Sequence, residues 1–121
     1  KNAFINYSYK DNKIRIESPI GVKYGSDVKK VEEILLNIAE DNENVLKKPE
    51  PVVFFSEFGD YALKFELKCW IRSPKYRKST KSEINFEIDR IFAEEGITIP
   101  FPQMDVWLKS IAEQNKRKTK L

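Results

Sequence analysis

From Leu63 to Ile71 the chain alternates without a break. Leu63, Phe65, Leu67, Cys69 and Ile71 fall on one side of an extended backbone, and Lys64, Glu66, Lys68 and Trp70 fall on the other, with Arg72 continuing the second row. Successive side chains of a strand point to opposite faces, so this pattern fixes a strand with one covered face and one open face. The covered face needs a partner layer, and the segments on either side supply it. Val28, Val31, Ile34, Leu35, Ile38 and Ala39 recur at helical spacing, with Lys29, Lys30, Glu32, Glu33 and Glu40 turned to water. Ile84, Ile88, Ile91 and Phe92 mark the buried stripe of a second helix, which ends at Gly96.

Further strands frame these helices. Ile14, Ile16, Ile20, Val22 and Tyr24 alternate with Arg15, Glu17, Gly21 and Lys23, and Pro19 within the run marks an edge or a bend. Gly25 gives a tight turn, and Ser26 or Asp27 caps the first helix. Pro49-Glu50-Pro51 is a rigid spacer, Val52 to Phe58 reads as a strand, and Gly59-Asp60 as a tight turn. Pro74 to Lys81 reads as a polar loop, with Thr80-Lys81-Ser82-Glu83 as a capping box that opens the second helix. Beyond Gly96 comes Ile97-Thr98-Ile99-Pro100-Phe101-Pro102-Gln103-Met104-Asp105-Val106. Pro100 and Pro102 lack N–H donors and hold their neighbours extended, so the chain leaves the helix as a stiff arm. The element order is β-α-β-β-α-β, an α+β ferredoxin-like split βαβ unit. Phe4 to Tyr9 reads as a further strand outside this unit, the end of a preceding β-domain, and Ser110 to Leu121 as a polar tail.

Composition narrows the chemistry. The chain has 121 residues, enough for one domain with its own core, and its Phe and Tyr content predicts that large rings anchor that core. It has no His, the commonest general base and transition-metal ligand. The single Cys69 can form neither an internal disulfide nor a zinc site, and its place on the apolar side of a strand reads as a buried thiol. The net charge is +3, but Lys116, Arg117, Lys118 and Lys120 lie in the last six residues. Without those four, 18 basic residues stand against 19 acidic ones, so the folded body is near neutral, which weakens a nucleic-acid reading that would want a basic face on the fold. No apolar run approaches the ~20 residues of a membrane span. The first residue is Lys1 rather than Met, and the chain reads as a piece excised from something larger.

Several clusters have the residue types of a site, and each has a plainer structural reading. The carboxylates of the first helix, Glu32, Glu33, Glu40, Asp41 and Glu43, read as a solvated face with Lys29 and Lys30 as partners. Glu94 and Glu95 stand before a helix C-terminus, where the dipole disfavours them. Gly21 to Asp27 lacks the spacing of a phosphate-binding loop. Trp70, on the open face among charged residues, is either an exposed ring or an interface anchor. No catalytic residue, cofactor site or metal site emerges.

Several short stretches occur in one order: Asn6-Tyr7-Ser8, Val22-Lys23-Tyr24-Gly25-Ser26-Asp27, Val45-Leu46 before Pro49-Glu50-Pro51, Phe58-Gly59-Asp60, Trp70-Ile71, and Gly96-Ile97 through Gln103-Met104-Asp105-Val106. That order resembles the cytoplasmic C-terminal region of small-conductance mechanosensitive channels, the MscS family. The resemblance implies a homoheptameric membrane channel that opens under tension and releases solutes on osmotic downshock. Its cytoplasmic parts form a hollow cage with side portals, on the inner side of the cell membrane. On this map residues 1–22 end a β-domain, 23–103 form the ferredoxin-like domain, and 104–121 hold a C-terminal strand and basic tail. Phe101, Met104, Val106, Trp107 and Leu108, with Trp70, become the expected subunit interface. Gly25, Ser26, Asp27, Gly59, Gly96, Pro100 and Pro102 become turn and cap positions. The expected partner is the chain itself, with the membrane reached through upstream helices and no nucleic acid bound. The competing reading is a free-standing ferredoxin-like regulatory module that binds a small ligand or RNA; an enzyme ranks third.

Overall fold

The computed structural model describes residues 12–100. The strand expected at Phe4 to Tyr9, the arm from Phe101 to Leu108 and the tail lie outside the described residues. The elements are β1 (Ile14–Val22), α1 (Val28–Asp41), β2 (Val52–Phe58), β3 (Leu63–Ile71) and α2 (Arg77–Glu95), with a 3-10 turn at Pro74–Tyr76 leading into α2. The sheet order is β1-β3-β2, antiparallel throughout. This is the strand arrangement of a split βαβ unit, in which β3 separates the two strands joined through α1. The sixth element is reduced, among the described residues, to one backbone contact. Lys23 N–H donates to Thr98 O at 2.8 Å, beside the end of β1, and no ladder follows before Pro100 removes the next donor.

The alternation in β3 does what the sequence requires. Leu63, Phe65, Leu67, Cys69 and Ile71 are all buried. They meet Ile16, Ile20 and Val22 of β1, Val31, Ile34, Leu35, Ile38 and Ala39 of α1, and Ile84, Ile88 and Phe92 of α2. Ile91 is only half-buried at the margin of this cluster. Ser18 completes the inward row of β1 opposite Leu67, where the alternation left a polar residue.

Local chemistry sets the ends of the elements. Gly25 takes φ 96°, a left-handed value. Ser26 donates through both its N–H (3.2 Å) and its Oγ (2.6 Å) to Lys23 O. Asp27 is the N-cap of α1, its carboxylate accepting from Lys30 N at 3.2 Å. Gly59 closes the β2–β3 turn by donating to Ala62 O at 2.8 Å, and an added Cβ would stand 2.8 Å from that same oxygen. Gly96 sits at φ 74°, with Gly96 N–H to Ala93 O (3.4 Å) and Ile97 N–H to Phe92 O (2.9 Å), the Schellman pairing.

Two expectations are corrected. The stretch Thr80 to Glu83 does not open α2, which starts at Arg77, three residues earlier. Ser73 and Pro74 start it instead: Ser73 caps the 3-10 turn by accepting from Lys75 N, and Pro74 fixes φ at its first position. Thr80 is then fully buried and accepts from Asn44 Nδ2 at 3.1 Å, while Glu83 accepts from Asn42 Nδ2 at 2.9 Å. These two residues tie α2 to the chain leaving α1. The rings, likewise, do not anchor the core as a class. Phe65 and Phe92 are buried, but Phe54, Phe55, Phe58, Phe86, Tyr24 and Tyr61 are exposed, and the core is chiefly aliphatic.

Candidate functional site

The sites singled out in the sequence do not converge on one centre. Trp70 lies half-buried on the open face of the sheet, paired across from Arg15. Around it the open-face charges engage one another. Arg15 reaches Glu17 at 3.2 Å, and Lys68 lies 3.8 Å from Glu17, 3.6 Å from Glu66 and 5.1 Å from the centre of the Phe54 ring. Of the expected interface set only Trp70 falls among the described residues. Pro100 is half-buried at their end, and Pro102 lies beyond them with the arm.

Of the five carboxylates read on the first helix, only Glu32 forms an ion pair among the described residues, with Lys29 at 3.5 Å, while Lys30 crosses to α2 and meets Glu95 at 3.1 Å. The Glu95 contact, first through its hydrogen bond and then its charge, raises the Lys30 ammonium above its ordinary value. Glu94 meets Arg90 at 3.0 Å. Both acids at the C-terminal end of α2 thus have a cation partner that offsets the dipole. Arg90 also binds Glu87 at 2.7 Å; that hydrogen bond lowers the Glu87 carboxyl and raises the Arg90 guanidinium. Cys69 is buried among aliphatic groups, and burial pushes its thiol up to about 11, away from nucleophilic duty at neutral pH. Among the described residues no group of three or more Cys, Asp or Glu could hold a metal ion, and no helix is long and apolar enough to cross a membrane.

What remains unused by the fold lies on its two flanks. On one side β2 is a sheet edge that exposes Val52, Phe54, Phe55 and Phe58, with Tyr61 just past the turn. Phe55 pairs with Phe65 and Phe58 with Leu63, so both sit on the helix-covered side, with ring centres 5.0 Å apart. Phe55 also stacks on Phe65 at 4.8 Å. α1 packs over β2 and β3 but leaves these outer rings open. On the other side α2 packs over β1. Its outward face carries Phe86, 76 % exposed, in a cleft of about 860 Å³ that Pro74, Lys75, Lys78 and Lys81 help to line. The sequence held signals for both. Phe54 and Phe55 are adjacent, so a strand cannot bury both on one face. Phe86 stands two residues from both Ile84 and Ile88, off their helical row.

The structure therefore defines a split βαβ domain with no catalytic centre assembled among the described residues and with two unpartnered flanks. Residues 16–99 match the family described as the mechanosensitive ion channel MscS, C-terminal, a span that takes in nearly all of the described unit. The chain belongs to this family. The mechanosensitive channel MscK of Escherichia coli is 39% identical over 104 residues, covering 86% of this chain and 9% of that protein. An uncharacterized MscS family protein of Archaeoglobus fulgidus is 35% identical over 101 residues, covering 84% of this chain and 35% of its own length. The chain thus spans about a third or less of these relatives. Among solved structures, closed-state MscS of Helicobacter pylori superposes with a TM-score of 0.69 at 27% identity, over 74% of this chain and 36% of that one. MSL1 of Arabidopsis thaliana shares the fold, with a TM-score of 0.63 at 19% identity, over 75% of this chain and 33% of that one.

Proposed function

We propose that this chain forms part of the cytoplasmic vestibule of a tension-gated membrane channel that releases solutes on osmotic downshock. The observation that carries this reading is the family match across residues 16–99, which runs from β1 past the Schellman turn. Residues 23–103 act as a wall unit of the vestibule, residues 1–22 end the β-domain before it, and residues 104–121 hold a C-terminal strand and basic tail. Upstream helices anchor the assembly in the membrane and form the pore; this segment itself neither conducts nor senses tension. Seven copies assemble, and Phe101, Met104, Val106, Trp107 and Leu108 supply an intersubunit strand whose pairing satisfies edge N–H and C=O groups. Pro100 and Pro102 stiffen that arm, so docking costs less conformational entropy. Trp70 is a second contact position. The role is mechanical: no catalysis, cofactor or nucleic acid enters it.

The test is expression of the full-length protein in cells deprived of their own tension-gated channels. Survival of downshock and a pressure-evoked conductance in excised patches are expected. Protein present in the membrane with neither property overturns the reading.

A further inference from the structure

α2 is charged against its own dipole at both ends, and only one end is repaired. At the C-terminal end Glu94 and Glu95 are met by Arg90 and Lys30. At the other end no acid stands in the first turn, and Lys75, Arg77, Lys78 and Lys81 crowd together. The positive end of a helix disfavours cations, and like charges three or four positions apart repel. None of these four has a carboxylate within ion-pair distance among the described residues. Lys81 is also half-buried, so its ammonium is partly withdrawn from water. Two of the four share a cleft with the sheet. Arg77 and Lys81, one helical turn apart, line a cleft of about 700 Å³ together with Trp70 of β3 and Arg15, Glu17 and Pro19 of β1. Glu17, its one carboxylate, is taken up by Arg15 at 3.2 Å and Lys68 at 3.8 Å. What the cleft leaves unused is two cations and an indole ring.

We propose that this cleft binds a free nucleoside phosphate, with the base stacked on Trp70 and the phosphates held between Arg77 and Lys81. The proposal goes beyond the vestibule reading and does not depend on it. A guanidinium offers paired donors that match phosphate oxygens, and an ammonium one turn away adds a point charge. An indole face stacks on any base. The volume lies in the range of small-ligand sites, about 300–1,000 Å³. Side chains carry the recognition, because the backbone at the helix entry is already engaged: Lys75 N–H donates to Ser73 Oγ and Arg77 N–H to Pro74 O. The larger cleft beside Phe86 is a poorer anion site, since α2 and its leading turn line it alone and Asp89 stands in it. A nucleic-acid strand would need a basic track continuing along the sheet, where Glu17 and Glu66 instead flank Lys68.

The test is NMR titration of the 121-residue chain at low salt with ADP, adenosine, pyrophosphate and a short single-stranded RNA as separate probes. ADP should shift the indole N–H of Trp70 and the amides of residues 77–81 saturably, with a Kd below about 1 mM. Adenosine and pyrophosphate should each bind about tenfold more weakly, since each keeps only one half of the site. Arg77→Gln and Lys81→Gln, both on the surface of α2, should weaken ADP binding about tenfold with circular dichroism unchanged, whereas Lys29→Gln on α1 should not change it. Trp70→Leu should bring ADP down to the affinity of pyrophosphate. A chain that ADP does not shift at about 5 mM overturns the proposal. So does ADP binding that Arg77→Gln and Lys81→Gln leave intact, or pyrophosphate binding as tightly as ADP, which would mean a diffuse basic patch. RNA bound more than about tenfold tighter than ADP, with shifts spreading over the sheet, would mean a polynucleotide surface and also overturns it. None of these outcomes bears on tension gating, so the vestibule reading stands or falls separately.

Discussion

Replacing Phe65 by Ala tests how the two faces of the sheet are assigned. Phe65 is 2% exposed in the middle of β3, between Ile20 and Phe55 in the register, and stacks on Phe55 at 4.8 Å. Truncation removes on the order of 130 Å² of buried ring surface, about 3 kcal/mol at 25 cal/mol per Å². The residual cavity and the lost stacking bring the cost to about 4 kcal/mol, within the usual range for a buried Phe. A domain of this size has roughly 5–15 kcal/mol of stability, so the variant should remain folded at low temperature but only narrowly. Its urea midpoint should fall by about 2.5–3 M for a slope near 1.5 kcal/mol per M. The control is the neighbouring residue. Lys64 points to the open face, and its 3.9 Å contact with Glu57 is exposed. Lys64→Ala should therefore cost no more than about 0.5 kcal/mol and shift the midpoint by about 0.3 M. Equal shifts for the two variants would refute the assignment of faces.

Three further outcomes follow from the local geometry. Cys69 should resist a thiol-specific chromogenic reagent at pH 8 in the native chain and react at the rate of unfolding. Because burial raises the folded thiol from 9.0 to about 11, its contribution to stability should be complete below pH 9 and decline as pH rises through 11, a trend that Cys69→Ser should abolish. Asp27→Ala removes the N-cap of α1 and should cost about 1 kcal/mol by urea titration, while Asp27→Asn should cost much less. Gly96→Ala meets nothing within 4 Å, so its cost should come from the left-handed φ alone, about 1 kcal/mol and without structural change by amide NMR shifts.

Much of this fold was legible because local pattern and tertiary demand coincide. Leu63 to Ile71 alternates in the sequence and buries every second residue in the structure. Gly96 marks a helix end by composition and makes it by geometry. The readings that failed are those in which one side chain has two eligible uses. Thr80 and Glu83 have the spacing of a capping box, yet Ser73 and Pro74 start the helix first, and both are taken up by Asn44 and Asn42 from a distant segment. Pairings separated by about forty positions leave no periodic trace. Glu95 finds Lys30 in the same way, across two helices. Aromatic content, for its part, says how much ring surface exists and not where it goes. Phe54, Phe58 and Phe86 lie on the flanks, and only the adjacency of Phe54 and Phe55 and the off-row place of Phe86 hinted at it. The interface expected at Phe101 to Leu108 lies outside the described residues and remains part of the proposal.

The most direct test of the vestibule account is the native mass of the full-length protein in detergent, intact and ending at Gln103. Seven subunits are expected for the intact protein. The shortened form, lacking Met104, Val106, Trp107 and Leu108, should dissociate at lower protein concentration, whereas deletion of Lys116 to Leu121 alone should leave the mass unchanged. An intact protein that runs as a monomer would contradict the account.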